Sequence, residues 1–422
     1  MIFDLRKTDD PRDMVHRTVQ ALAEGRVVGV PSETVYGLIA SALSESAVQA
    51  LVALITGNGQ QSLQPGQVSL CLKSGETAAD FLVPNTPVGQ RLSARCFPGP
   101  LTLIAPADGM TSATQQLPNL VTEVLHRAAQ AEPSVPCVPP LREPKGLEAV
   151  TRQTHVAVRV ADHRLLDHIH TYLAAPLIWG EVRVGRDESG EEIPATTAEK
   201  LQDAIRQAGD STNDSAEETM PLLLDDGPTR YGGVPTVVRV DGQRWTMSQE
   251  GVIQYAAMKQ FSKPVIVLVC TGNTCRSPMA ETLLREILRE RFEDENIARV
   301  VSAGLAASQG YGASPQAVEV MGRRGLDLTG HCSQPLDDSL MNMADLVLTM
   351  TRRHRDAILA AWPDRADRVH TLRHDGADIS DPIGLPVETY EQCADQMQTE
   401  LNAWMDQLGD SFFRDGTADA DV

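Results

Sequence analysis

From residue 265 onward, short apolar runs rich in β-branched residues alternate with stretches of helical periodicity, and few folds accommodate that alternation. Val265–Val269, Val300–Ala303, Leu346–Thr349 and Val369–Thr371 predict strands, and Ser277–Arg291, Pro315–Arg324, Arg352–Ala361 and a segment near Glu388–Gln407 predict helices. A strand that always hands on to a helix returns parallel to its predecessor, so the pattern specifies a doubly wound parallel α/β sheet with helices on both faces.

Upstream, the pattern is α/β but less regular. MVHRTVQALAEG predicts an amphipathic helix closed by Gly25, followed by a buried strand in RVVGVP. Strand-like runs recur at Val68–Leu72, Leu101–Ile104, Val156–Val160, Pro221–Leu224 and Thr236–Val240. A proline-rich stretch, AEPSVPCVPPLREPKG, predicts a surface excursion, and the polar stretch Gln207–Thr219 a solvated loop. At 422 residues the chain exceeds one ordinary core. We expect a mixed α/β domain over residues 1–258, a linker around 259–263, a parallel-sheet domain over 263–410 and a disordered tail over 411–422.

Charge and cysteine usage narrow the function classes. A net charge of -20, from 57 acidic and 37 basic residues, repels a nucleic-acid backbone. The seven cysteines (71, 96, 137, 270, 275, 332 and 393) are odd in number and scattered, which argues against a disulfide framework. No run reaches the roughly 18 apolar residues of a membrane span. MIFDLRKTDDPRD lacks the apolar core of a secretory signal, so a cytoplasmic protein is expected.

The chemistry concentrates in VIVLVCTGNTCRSPMAE, residues 265–281. A buried strand ends at a cysteine, a tight loop follows, and Ser277-Pro278 opens a helix, with proline suited to the first turn. Unpaired N–H groups and the helix dipole then converge on one point, where an anion such as phosphate fits. Cysteine reacts as the thiolate, and such surroundings beside an arginine favour that form. This makes Cys270 the nucleophile and Arg276 the phosphate clamp, whose planar fork matches two phosphate oxygens. Gly272 and Asn273 tolerate the positive φ that turns N–H groups inward. Thr271, Thr274 and Cys275 complete the substrate-binding loop, and the Ser277 hydroxyl is placed to donate to the sulfur. Asp381, in the Ile379–Gly384 loop, is the candidate general acid, with Asp375 and Asp378 nearby as alternatives. Cys275 is either a resolving thiol for Cys270 or a packing residue. DHRLLDHIH (residues 162–170) lacks partners at metal-ligand spacing, and no metal or other cofactor is expected. The run RRHR (352–355) is either a contact for phosphoprotein substrates or a solvated helix start.

The loop, together with Ser302-Ala-Gly304, ADLVLTM (344–350) and Asp381-Pro382, resembles the low-molecular-weight protein tyrosine phosphatase family over about residues 265–408. The resemblance implies a small doubly wound fold, no metal, a cysteinyl-phosphate intermediate and a phosphoprotein substrate. TGNTCRSPMAE is also similar to members that act on phosphoarginine, where Thr274 replaces a bulkier aliphatic residue. Ile383 stands where either subgroup usually places an aromatic residue, so phosphotyrosine and phosphoarginine both remain open.

In the first half, VVGVPSETVYGL (27–38), FPGPLT (97–102), VAVR (156–159), PATT (194–197) and DDGP (225–228) resemble the threonylcarbamoyl-AMP synthase family, also known as YrdC/Sua5-type. That resemblance implies a twisted α/β sheet with a cavity for ATP, threonine and bicarbonate. The chain departs from the family's pattern at four places. Ile55-Thr-Gly-Asn-Gly59 lacks the Lys-x-Arg pair, and Trp179-Gly-Glu-Val-Arg183 replaces Ser-Ala-Asn. Pro235 replaces a serine, and Gln249 replaces an arginine. Cations around a triphosphate carry much of adenylate chemistry. The expectation is a retained fold without normal synthase turnover, serving as a nucleotide- or partner-binding module. The alternative is a bifunctional protein that still makes threonylcarbamoyl-AMP for tRNA modification.

Overall fold

The computed structural model describes residues 2–7, 11–57, 62–82, 86–107, 113–131, 154–185, 193–208, 220–242 and 244–413. Most of the proline-rich excursion and of the Gln207–Thr219 stretch, together with Asn58, Gly59 and Cys137, lies outside the described residues. The chain divides into two compact units between Phe261 and Ser262.

The first unit runs β1 (Ile2–Asp4), α1 (Pro11–Ala23), β2 (Val28–Pro31), β3 (Tyr36–Ser41), α2 (Glu45–Thr56), β4 (Val68–Cys71), α3 (Gly75–Phe81), α4 (Pro87–Cys96), β5 (Leu101–Pro106), α5 (Asn119–Gln130), β6 (His155–Arg159), α6 (Arg164–Tyr172), β7 (Leu177–Gly180), α7 (Ala198–Ala208), β8 (Leu222–Asp225), β9 (Thr236–Asp241), β10 (Arg244–Gln249) and α8 (Tyr255–Ser262). Its strands form one ten-stranded mixed sheet in the order β1-β8-β2-β3-β7-β4-β6-β5-β9-β10. Alternation along β3 explains the two cores. Tyr36, Leu38 and Ala40 join the side covered by α2, α5 and α7, whereas Ile39 joins the side covered by α1 and α6. The expected linker at 259–263 is largely the end of α8.

The second unit runs β11 (Val265–Cys270), α9 (Arg276–Phe292), β12 (Arg299–Gly304), α10 (Pro315–Arg323), α11 (Asp338–Met343), β13 (Leu346–Thr349), α12 (Arg352–Ala361), β14 (Val369–Thr371), α13 (Val387–Leu408) and α14 (Asp410–Phe413). The four strands are all parallel, in the order β12-β11-β13-β14. Every residue of β11 is buried. Val265, Val267 and Val269 face the layer of α11 and α12, while Ile266, Leu268 and Cys270 face the layer of α9, α10 and α13. A continuous apolar run is what a strand covered on both faces requires. Residues 411–413 of the expected tail belong instead to α14, which extends to Phe413, fully buried against Phe292. The remainder of that tail, 414–422, lies outside the described residues.

Candidate active site

The phosphate loop spans the turn from the end of β11 to the start of α9. Cys270 is 3% exposed. Its Sγ accepts the Asn273 N–H at 3.2 Å and lies 3.0 Å from Ser277 Oγ. The Ser277 hydroxyl has one proton and two acceptors in reach, Cys270 Sγ and, at 3.3 Å, the Ala303 carbonyl. A thiolate is the stronger and nearer acceptor, so the proton goes to sulfur once Cys270 ionises.

Asn273 braces this loop. Its φ of 54° turns the backbone inward, a conformation asparagine tolerates better than most residues. Its Nδ2 donates to Ser277 Oγ and Ser302 Oγ, both at 2.9 Å, and its Oδ1 accepts the Gln334 N–H at 2.9 Å. His331 Nε2 contacts the Asn273 carbonyl at 2.7 Å. Gly304, at the end of β12, lies so close to the loop that an added Cβ would sit 2.6 Å from the Thr271 carbonyl oxygen and 2.9 Å from Asn273 N.

Arg276 is buried, and its Nη1 donates to the Ile379 carbonyl at 3.1 Å while Nη2 meets Asp381 Oδ2 at 2.6 Å. Asp381 is the half-exposed partner, and its Oδ1 accepts the Ile383 N–H at 3.3 Å. Neither alternative carboxylate reaches the clamp in this way. Asp375 pairs with Arg373, and Asp378 accepts the Arg352 N–H at 2.8 Å. The Thr271 side chain is exposed, Gly272 and Thr274 are half-buried, and Cys275 is buried with its Sγ 3.7 Å from the hydroxyls of Thr274 and Tyr390. Cys275 and Cys270 are both free thiols. Burial pushes the nearby Cys393 thiol up to about 12, which marks it as a packing residue. His331, Gln334 and Tyr390 were not part of the sequence reading, and His354, within the RRHR run, lies with its Nε2 2.9 Å from Thr271 Oγ1.

A family model described as low molecular weight phosphotyrosine protein phosphatase matches residues 265–412. The model of the Sua5/YciO/YrdC family, described as telomere recombination, matches residues 20–251. The chain belongs to both families. Among curated relatives, the protein-arginine-phosphatase of Bacillus subtilis (strain 168) is 39% identical over 147 residues, 34% of this chain and 95% of the relative. A probable low molecular weight protein-tyrosine-phosphatase, EpsP of Ralstonia solanacearum, is 38% identical over 34% of this chain and 94% of its own length. The low molecular weight protein-tyrosine-phosphatase Wzb of Escherichia coli (strain K12) is 34% identical over the same shares. The second unit of this fusion is a cysteine-based phosphatase. Among the described residues no cluster of His, Cys, Asp and Glu is arranged to hold a metal ion, and no helix is long and apolar enough to cross a membrane.

In the Sua5/YciO/YrdC unit, the departures from the family pattern have visible structural consequences. Trp179 on β7 is fully buried, and the Arg159 guanidinium lies 4.4 Å from its ring centroid. The ring packs where Gly37 leaves space, since a Cβ at 37 would lie 2.3 Å from it. Arg159 is itself wholly buried and paired with Glu33 at 3.1 Å, the arrangement a buried charge needs. Arg159 Nε and Nη1, Trp179 Nε1 and the neighbouring Ser69 Oγ have no hydrogen-bond partner among the described residues. Burial raises the pKa of the Glu181 carboxyl. Two further departures meet directly, Gln249 Nε2 donating to the Pro235 carbonyl at 3.0 Å. Of the histidines in DHRLLDHIH, His163 accepts the Leu165 N–H at the start of α6, and His170 lies 3.9 Å from Cys71 Sγ.

Proposed function

We propose that the second unit dephosphorylates protein side chains with Cys270 as nucleophile, Arg276 as clamp and Asp381 as general acid, and that phosphoarginine is its favoured substrate. The observation that carries the roles is the convergence of Cys270 Sγ, Ser277 Oγ, the inward Asn273 N–H and the Arg276–Asp381 pair around one helix N-terminus. In the first step Cys270 sulfur attacks phosphorus in line, the bond from phosphorus to the leaving nitrogen or oxygen breaks, and Asp381 supplies the proton that atom requires. In the second step water attacks the cysteinyl-phosphate, Asp381 takes its proton, and the sulfur leaves as a thiolate that Ser277 stabilises. Substrate phosphate competes with Asp381 for Arg276 Nη2, which frees the Asp381 side chain to take up a proton from solvent and present it to the leaving group.

The loop's two hydroxyls, on Thr271 and Thr274, favour phosphoarginine, whereas the aliphatic Ile383, 65% exposed, weakens stacking on either substrate. The test is kcat/KM measured side by side on phosphoarginine and phosphotyrosine peptides, with Cys270→Ser as control. Cys270→Ser is expected to abolish turnover of both, and Thr274→Ile to shift preference towards phosphotyrosine. Undiminished turnover in Cys270→Ser removes the nucleophile assignment, and a wild-type preference for phosphotyrosine removes the substrate assignment.

For the first unit we propose a retained fold without synthase turnover, because an indole and a carboxyl stand where the family pattern has Ser-Ala-Asn. Nucleotide or partner binding is then its remaining role. Pyrophosphate release from ATP in the presence of threonine and bicarbonate is expected at background, and robust release overturns this reading.

A further inference from the structure

His354 lies in a basic run at the start of α12, yet it is 7% exposed. Its Nε2 lies 2.9 Å from the side-chain oxygen of Thr271, the residue next to the nucleophile. Among the described residues its Nδ1 is buried without a partner. An orphaned buried N–H is rarer and more costly than an orphaned lone pair. The arrangement is therefore the neutral Nε2–H tautomer, with Thr271 Oγ1 as acceptor. That leaves Thr271 with its hydroxyl proton and one lone pair directed away from the imidazole.

The location gives this hydroxyl a use. The start of α12 is tied to the general-acid loop, with Arg352 N–H donating to Asp378 and Ile379 N–H to the Met350 carbonyl. Burial lowers the pKa of His354 below its ordinary value; Arg276 and Arg353 lower it further, and Asp381 and Asp378 act against that. A cationic His354 would lose the unpaired acceptor at Nδ1 and place a second positive charge beside the clamp.

We propose that His354 is a positioning residue that acts through Thr271: it fixes the threonine hydroxyl so that the O–H donates to a phosphoryl oxygen while the free lone pair accepts an N–H of the guanidino leaving group. The inference rests on the phosphatase reading of this site. A phenolic leaving group has no N–H to offer, so the pair selects for phosphoarginine by a route separate from Thr274.

The test compares His354→Ala, His354→Gln, Thr271→Val and the His354→Ala/Thr271→Val double variant in the full chain, with thermal stability checked for each. For phosphoarginine, kcat/KM is expected to drop about tenfold more than for para-nitrophenyl phosphate in His354→Ala and Thr271→Val. The double variant should be no worse than either single one, and His354→Gln, whose amide can donate to Thr271, should restore most of the selectivity. Equal losses on both substrates, or additive losses in the double variant, overturn the proposal. A readout free of turnover accompanies it: imidazole 15N shifts should show His354 as the neutral Nε2–H tautomer at pH 7, perturbed by Thr271→Val. An Nδ1–H tautomer, or no response to Thr271→Val, overturns the proposal even if neither substrate is hydrolysed, whereas failure of Cys270→Ser to abolish activity speaks only to the nucleophile.

Discussion

At the scale of single residues, the phosphate loop depends on atoms that are absent as much as on those present. Gly304 leaves room for the Thr271 carbonyl and the Asn273 amide, the latter bonded to the nucleophilic sulfur. Gly304→Ala is expected to cost about 1–3 kcal/mol in stability, as overpacking does, and to lower kcat at least about tenfold by displacing the loop. Urea denaturation and steady-state kinetics check both. Arg276→Lys keeps the charge but removes the fork that bridges Ile379 O and Asp381, and kcat/KM should drop by about 100-fold or more with little change in urea midpoint. A lysine variant within threefold of wild type would show that a point charge suffices.

At the scale of elements, β11 and α12 set the site between them. Thr351 caps α12 by accepting the His354 N–H at 3.2 Å, so one threonine holds both the helix start and the histidine that reaches Thr271. Thr351→Ala should cost about 1 kcal/mol by urea denaturation and reduce discrimination between phosphoarginine and para-nitrophenyl phosphate; unchanged discrimination would separate cap from site. The four strands and four longer helices of this unit were legible because β11 and β13 are apolar runs, β12 and β14 are short β-rich stretches between helices, and the helices have an apolar stripe. The short α14, at the end of the chain's second unit, was not legible. Asp338–Met343 was not, since six residues are too few to establish a period. In the first unit β3 escaped because Gly37 and Ala40 dilute its strand propensity. The proposed nucleophile and clamp are carried by the strand-Cys-x5-Arg-helix pattern in the sequence. His354 was hidden inside a run of arginines, and only its i, i+4 relation to the buried Ile358 signalled an inward face. His331, Gln334 and Tyr390 reach the loop from 58, 61 and 115 residues away, a juxtaposition that local pattern cannot encode.

At the scale of the whole molecule, the half-buried His170 is expected to contribute to acid stability. His170 is pushed down to about 4 by burial, with Lys73 adding to the shift. An unfolded chain binds a proton at this residue near its ordinary value of about 6.5, whereas the folded chain does not bind it until near pH 4. The unfolded state therefore gains protons first, and stability is lost as pH falls through that window and levels off below it. Urea midpoints of the full chain followed by tryptophan fluorescence should decline between pH 6.5 and 4, and His170→Gln should flatten that decline. An unaltered slope in the variant would assign it to other groups.

The stacked pair Trp179–Arg159 ties a wholly buried cation of the first unit to one aromatic face. Replacing the tryptophan with serine would open a void beneath a wholly buried guanidinium and take away the aromatic face against which it lies. Trp179→Ser alone is therefore expected to loosen the core of the first unit, because the buried cation depends on the ring for its packing.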